Sequence, residues 1–206
     1  MAKYGISTYG AATGFTAAQI KNLALFELGF PDEIDFTDLT NPTVEKVNRV
    51  YATVLLAELS NYPWIFILKR EELTSRSDAT DVNKYKYNFV LPANMLTVRK
   101  GYYDQDYLSP IREYEANLKN FNTDAQKVYL WYYSLVDEEE FPQYFINYFK
   151  YRLAFELCFN LTGDTELENK LAELSRFFLK KAKNIDAKQL PGKTVLSSPF
   201  TNIRGR

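Results

Sequence analysis

The sequence predicts an α+β protein: a predominantly helical bundle of about four helices, with a small antiparallel β subdomain between the second and third. Three observations predict it. Four segments carry apolar residues at helical spacing between recognisable caps. Between the second and third of them the period shifts to alternating aromatic and polar residues. The chain of 206 residues is 46% hydrophobic, enough to bury a core in one compact domain with an embedded subdomain.

Residues 1–15 are rich in Gly, Ala, Ser and Thr and read as an N-terminal arm. Thr16 and Gln19 have the spacing of a capping box, in which hydroxyl and amide satisfy orphan helix N–H groups. Ile20, Leu23, Ala24 and Leu28 recur at helical spacing and Gly29 supplies a permissive end, which predicts a helix over 17–28. The stretch 30–40 is acidic and turn-rich. Asn41 and Pro42 then open a second helix, as cap and first helical residue. Its stripe is Val44, Val47, Tyr51, Val54, Leu55 and Leu59, and it reaches about Ser60 before Pro63 stops it.

The middle, about 64–135, reads as strands. Candidates are 64–70, 85–91 (Tyr85, Tyr87, Phe89 and Leu91 on one face), 96–103 and 128–133, expected to join in one small antiparallel sheet. Residues 104–123 are polar and irregular, with 111–118 expected as a short helical turn. Phe141 and Pro142 begin a third helix running to about Leu161 and ended by Gly163. The run Asp137–Glu140 before it suits the positive end of a helix dipole. Asp164 or Thr165 caps a fourth helix with the stripe Leu167, Leu171, Leu174, Phe178, Ala182 and Ile185. The bundle domain therefore spans 16–187, and 188–206 reads as an extended C-terminal tail.

Composition removes several chemistries. There is no His, and so no Ser-His-Asp, Cys-His or His-ligated metal site. Cys158 is the only cysteine and lies in the apolar stretch 155–161, where a buried structural thiol is expected. No Gly-rich phosphate loop is present, because Gly10 and Gly14 lack the spacing and the Lys-Ser/Thr ending. The N-terminus has no apolar run of signal-peptide length. A membrane span needs about 20 predominantly apolar residues. In 141–161 that run is broken by Asn147, Lys150, Arg152, Glu156 and Asn160, so a buried helix and a soluble protein are expected.

Two compositional features bear on partners. The chain holds 16 Tyr and 15 Phe, ring surface that suits subunit contacts as well as cores, and association is expected from it. Net charge is −1, unevenly placed: from Arg176 onward eight Lys/Arg stand against Asp186 alone. That basic end is either a solvated helix face with a basic tail or a segment that docks on an acidic surface. No aromatic–basic interleaving along the chain marks a nucleic-acid groove.

One segment is distinctive: Asn48-Arg-Val-Tyr51, Leu55 and Leu56, then Leu59-Ser-Asn-Tyr62-Pro63-Trp64 and Lys69-Arg70. It resembles the tail tubular protein A family of short-tailed bacteriophages. The stretch from Tyr85 to Pro92, the two closing helices and the ending Phe200-Thr-Asn-Ile-Arg-Gly-Arg206 are similar as well. The resemblance implies a structural virion protein with no enzymatic activity: an adaptor ring, dodecameric, joining the portal to the downstream tail or nozzle protein. It implies genomic DNA passing through the centre without specific binding. The location implied is the head–tail junction, after assembly in the host cytoplasm.

The residues fit such a part in their own terms. Asn48, Tyr62, Pro63 and Trp64 form the junction where a helix turns into a sheet. Phe200, Ile203, Arg204 and Arg206 are candidates for docking on a neighbouring subunit, since the chain ends cannot bury surface at home. Asp32, Glu33, Asp35, Asp38 and Asp137–Glu140 are candidates for an acidic channel face. No cofactor, metal or catalytic residue is expected. The alternatives are another virion adaptor or completion protein of different symmetry, or a carboxylate-metal hydrolase built on Asp78/Asp81 or Asp104/Asp106.

Overall fold

The fold, a computed structural model, describes residues 14–78 and 84–189. Helix α1, Ala17–Glu27, begins at the predicted capping box: the Thr16 side chain accepts from the Gln19 amide and the Gln19 side chain from the Thr16 amide. Gly29 follows it at φ 89°, the left-handed region that glycine enters without a Cβ clash. Helix α2, Pro42–Asn61, is capped by the Asn41 side chain. Helix α3 is Gln143–Thr162, closed by Gly163 at φ 67°, and α4 is Thr165–Ala187, capped by Asp164.

Helix α3 packs against α1, α2 and α4. Its sequence explains that position. Tyr144, Phe145, Ile146, Tyr148, Phe149, Leu153, Ala154, Leu157 and Cys158 are all buried, and they lie on more than one face of the helix. Each fully buried Phe or Leu side chain contributes roughly 1.5–3 kcal/mol, so α3 supplies much of the first core.

Among the described residues seven strands lie between α2 and α3. Strands β1 (Leu68–Glu72), β7 (Tyr129–Ser134) and β4 (Met95–Tyr102) form a three-stranded antiparallel sheet in that order. Strands β2 (Arg76–Asp78), β3 (Tyr87–Val90), β6 (Asn120–Thr123) and β5 (Glu115–Ala116) form a second sheet in that order. A second core lies between the sheets, made by Leu130, Tyr132 and Val98 from one and Phe89 and Phe121 from the other. The protein is thus a mixed α/β fold with four helices and two small antiparallel sheets.

Three sequence expectations change. The strands form two sheets, because β6 pairs with β3 and β5 and never with β7. Residues 111–118 form no helical turn: Ile111 drops into the second core and Glu115–Ala116 pairs with β6. The segment 64–70 starts as a short 3-10 turn, Ile65–Ile67, and becomes a strand only at Leu68. The aromatic surplus also finds a different use. Trp64, Phe141, Phe145 and Phe149 are fully buried within the chain, so part of this ring surface serves the chain's own core, while Phe26, Phe159 and Phe177 stay exposed. Among the described residues no helix is long and apolar enough to cross a membrane.

Candidate functional site

At the α2–β1 junction the chain turns by burying a tryptophan. Trp64 has no solvent exposure, its indole N–H donates to the Glu58 carbonyl at 2.9 Å, and its ring meets Tyr62 and Phe145 edge-on at 4.6 and 5.1 Å. Pro63 is exposed and serves to stop the helix. Asn48, of the four junction residues, lies elsewhere: its side-chain oxygen accepts from Lys21 Nζ of α1 at 2.8 Å. That ammonium also sits over the Tyr51 and Phe36 rings, at 4.6 and 5.1 Å. Asn48 therefore joins two helices, while Tyr62, Pro63 and Trp64 make the turn.

Beside the junction opens a cleft of about 350 Å³ whose lining includes Glu58, Tyr62, Trp64, Tyr148, Arg152 and Lys183. Glu58 is buried, yet its carboxylate is fully engaged: Tyr148 Oη donates at 2.5 Å and Arg152 Nε at 2.9 Å. Arg152 also pairs with Glu156 at 2.5 Å. The Tyr148 hydroxyl is pushed well up in pKa by burial and by the Glu58 charge. The cleft thus holds one neutralised carboxylate. Lys183 lies 4.7 Å over the Tyr62 ring.

A second buried acid ties the ends of the fold together. Asp186, near the end of α4, accepts the Ile65 backbone N–H at 3.1 Å and the Tyr144 hydroxyl at 2.7 Å, with no solvent exposure. Burial raises its pKa above the usual carboxylate value, against the opposing effect of the bonds from Tyr144 and Ile65. Both buried acids stand on apolar stripes: Glu58 between Val54 and Leu59, Asp186 four residues after Ala182. A charge at a stripe position was the available signal for them.

The other candidate residues separate. Phe200, Ile203, Arg204, Arg206 and Asp81 lie outside the described residues. Asp78 is exposed on β2. Asp104 accepts the Leu108 and Ser109 amides at 3.0 and 2.7 Å, bonds that lower its pKa and make it a turn cap. Glu138 accepts from the Tyr51 hydroxyl and Glu140 pairs with Lys69, while the Asp137 and Glu139 carboxylates make no bond among the described residues. Among the described residues no group of three acids or Cys could hold a metal ion. Asp32, Glu33, Asp35 and Asp38 stay exposed on one loop.

Sequence reasoning missed a cluster on the face of the three-stranded sheet opposite the second core. Arg70 of β1 and Lys100 of β4 flank Trp131 of β7 in register. A register irregularity between Val98 and Lys100 lets Arg99 reach the same ring, since bulges re-aim side chains. The Arg70 and Arg99 guanidiniums lie 4.2 and 5.1 Å from the Trp131 ring centroid. Tyr102 and Tyr107 approach that ring at 5.4 and 5.3 Å. Tyr107 does so from φ 58°, a left-handed backbone that costs a non-glycine residue roughly 1–3 kcal/mol. Basic and aromatic residues do interleave here, but across three strands.

No protein-family model matches the chain, and no curated protein matches it.

Proposed function

We propose that this chain is a structural virion protein, a subunit of the ring that connects a phage portal to the tail and lines part of the DNA passage. In this reading the strands are a β subdomain inserted into a predominantly helical bundle.

One observation carries the proposal: the chain presents unpaired charge of opposite sign on separate elements. Arg176, Lys180, Lys181 and Lys188 make no ion pair among the described residues, and the sole acid of that segment, Asp186, is buried. The loop between α1 and α2 carries four exposed acids and no cation. Complementary patches on different parts of one surface generate head-to-tail contacts, and such contacts close into rings when the rotation permits. Phe26, Phe159 and Phe177, each more than 60% exposed on three different helices, add apolar surface for neighbours.

The test is imaging of the purified chain by electron microscopy, alone and mixed with portal particles. Rings seated on portals support the proposal. A strict monomer in both conditions defeats it, and assemblies of another symmetry favour a different adaptor.

A further inference from the structure

We propose that the Arg70–Trp131–Arg99 cluster is the socket for the acidic α1–α2 loop, residues 31–40, of a second copy of this chain. The inference rests on the ring reading and, of the chain's two cationic surfaces, assigns the acidic loop to this one and not to the exposed cations of α4, because here the guanidiniums are held against a ring.

The socket is built. The Trp131 ring holds both guanidiniums within 4.2 and 5.1 Å of its centroid, and a guanidinium's planar fork of donors suits bidentate binding of a carboxylate. Neither Arg70, Arg99 nor Lys100 makes a side-chain hydrogen bond or ion pair among the described residues. Glu72, two residues along β1 on the same face, leaves Arg70 unpaired. The Tyr107 hairpin is pinned by Asp104 and by a Tyr103–Ser109 backbone bond of 2.9 Å, so the cluster keeps its form without an occupant.

The loop is built as well. Its four acids, Asp32, Glu33, Asp35 and Asp38, fall within seven residues, and there is no Lys or Arg between Gly29 and Asn41. The Asn22 side chain clamps the Ile34 backbone through both its N–H and its carbonyl, at 3.0 and 3.1 Å. Asp35 and Asp38 each accept an amide and a hydroxyl from a Thr two residues on through one oxygen, Oδ1. The bonds from Thr37 hold Asp35 below the usual carboxylate range, so it stays charged. Leu39, 77% exposed beside these acids, offers an apolar contact to the tyrosines of the socket.

Charge identifies the occupant as another copy. Residues 1–13 contain no acid and one lysine, and residues 190–206 contain no acid and three cations, so neither end of the chain complements a cationic socket. Within one chain no hydrogen bond, ion pair or ring contact joins loop and socket among the described residues, so their pairing is between subunits and head-to-tail.

Charge reversal tests this on the full chain assembled with portal. R70E/R99E alone and D35K/D38K alone should each raise the concentration for half-assembly by at least about tenfold. An equimolar mixture of the two should recover assembly, because each mutant socket then meets an opposite loop. Circular dichroism checks that the variants fold. Carbodiimide cross-linking of the unmodified ring, which needs no variant, should join Lys100 to Asp35 or Asp38 of the neighbour. Rings that persist in both single variants, a mixture that does not recover, or Lys100 cross-linked only to portal would overturn the pairing and leave the ring reading intact. An unmodified chain that forms no ring with portal removes both.

Discussion

Replacing Asp186 with Asn isolates the cost of a buried charge at the point where α4, α3 and the Trp64 turn meet. The wild-type carboxylate is solvent-free, accepts from Tyr144 and Ile65, and has no cation in an ion pair with it among the described residues. Burial raises its folded pKa above the unfolded value of 3.8. Between those two values the unfolded chain has released the proton while the folded chain still holds it. Wild-type stability from this group therefore falls as pH rises through that window, by up to about 1.4 kcal/mol per pH unit, and is flat above it. Asn stays neutral throughout and keeps one carbonyl oxygen for the same donors. The stability of wild type minus that of D186N should thus decrease with pH across the window and then level off, other titrations cancelling in the difference. Urea unfolding followed by tryptophan fluorescence from pH 4 to 8 gives that difference directly. A difference that is constant, or that grows with pH, would mean that burial does not raise the Asp186 carboxyl. Asp186→Ala should be worse than Asn at every pH, because it leaves two buried donors unpartnered at a cost on the order of 1–3 kcal/mol each.

Trp64→Ala should cost roughly 3–5 kcal/mol in urea unfolding, since it empties a fully buried site and frees the Glu58 carbonyl. Gly101→Ala should cost about 1–3 kcal/mol in the same assay, because a Cβ there would stand 2.7 Å from Phe121 Cζ and 3.4 Å from Ile111 Cδ1 in the second core. Tyr132, raised by burial and by Glu71, should ionise at about 12 by ultraviolet difference titration, while Tyr51, Tyr144 and Tyr148 should stay protonated to higher pH. Their folded pKa values exceed the unfolded 10.0, so stability should hold below pH 10 and decline above it.

The helices were legible because each combines a local cap with a periodic stripe. Thr16, Asn41, Asp164 and Gly163 mark ends that the fold places within a residue or two. The strands that pair aromatic with β-branched residues were legible too. Strand β6 was not: Asn-Phe-Asn-Thr has little strand propensity, and its pairing with β3 and β5, together with the burial of Phe121, places it. Trp64 was readable as a buried ring from Pro63 and the change of period around it. Glu58 and Asp186 were hidden because attention to apolar stripes passes over the charges standing on them. The socket was unreadable along the chain. Arg70, Arg99 and Trp131 are 61 residues apart at the extremes, and only the β1–β7–β4 register brings them to one ring.

A ring subunit must join copies of itself at a portal. Mass photometry of the chain titrated onto purified portal particles measures that most directly. A step of about twelve chain masses per portal, appearing cooperatively and lost at high salt as the exposed charges are screened, is the predicted result. Portal particles that gain no mass at any chain concentration, with the free chain at its monomer mass throughout, would contradict it.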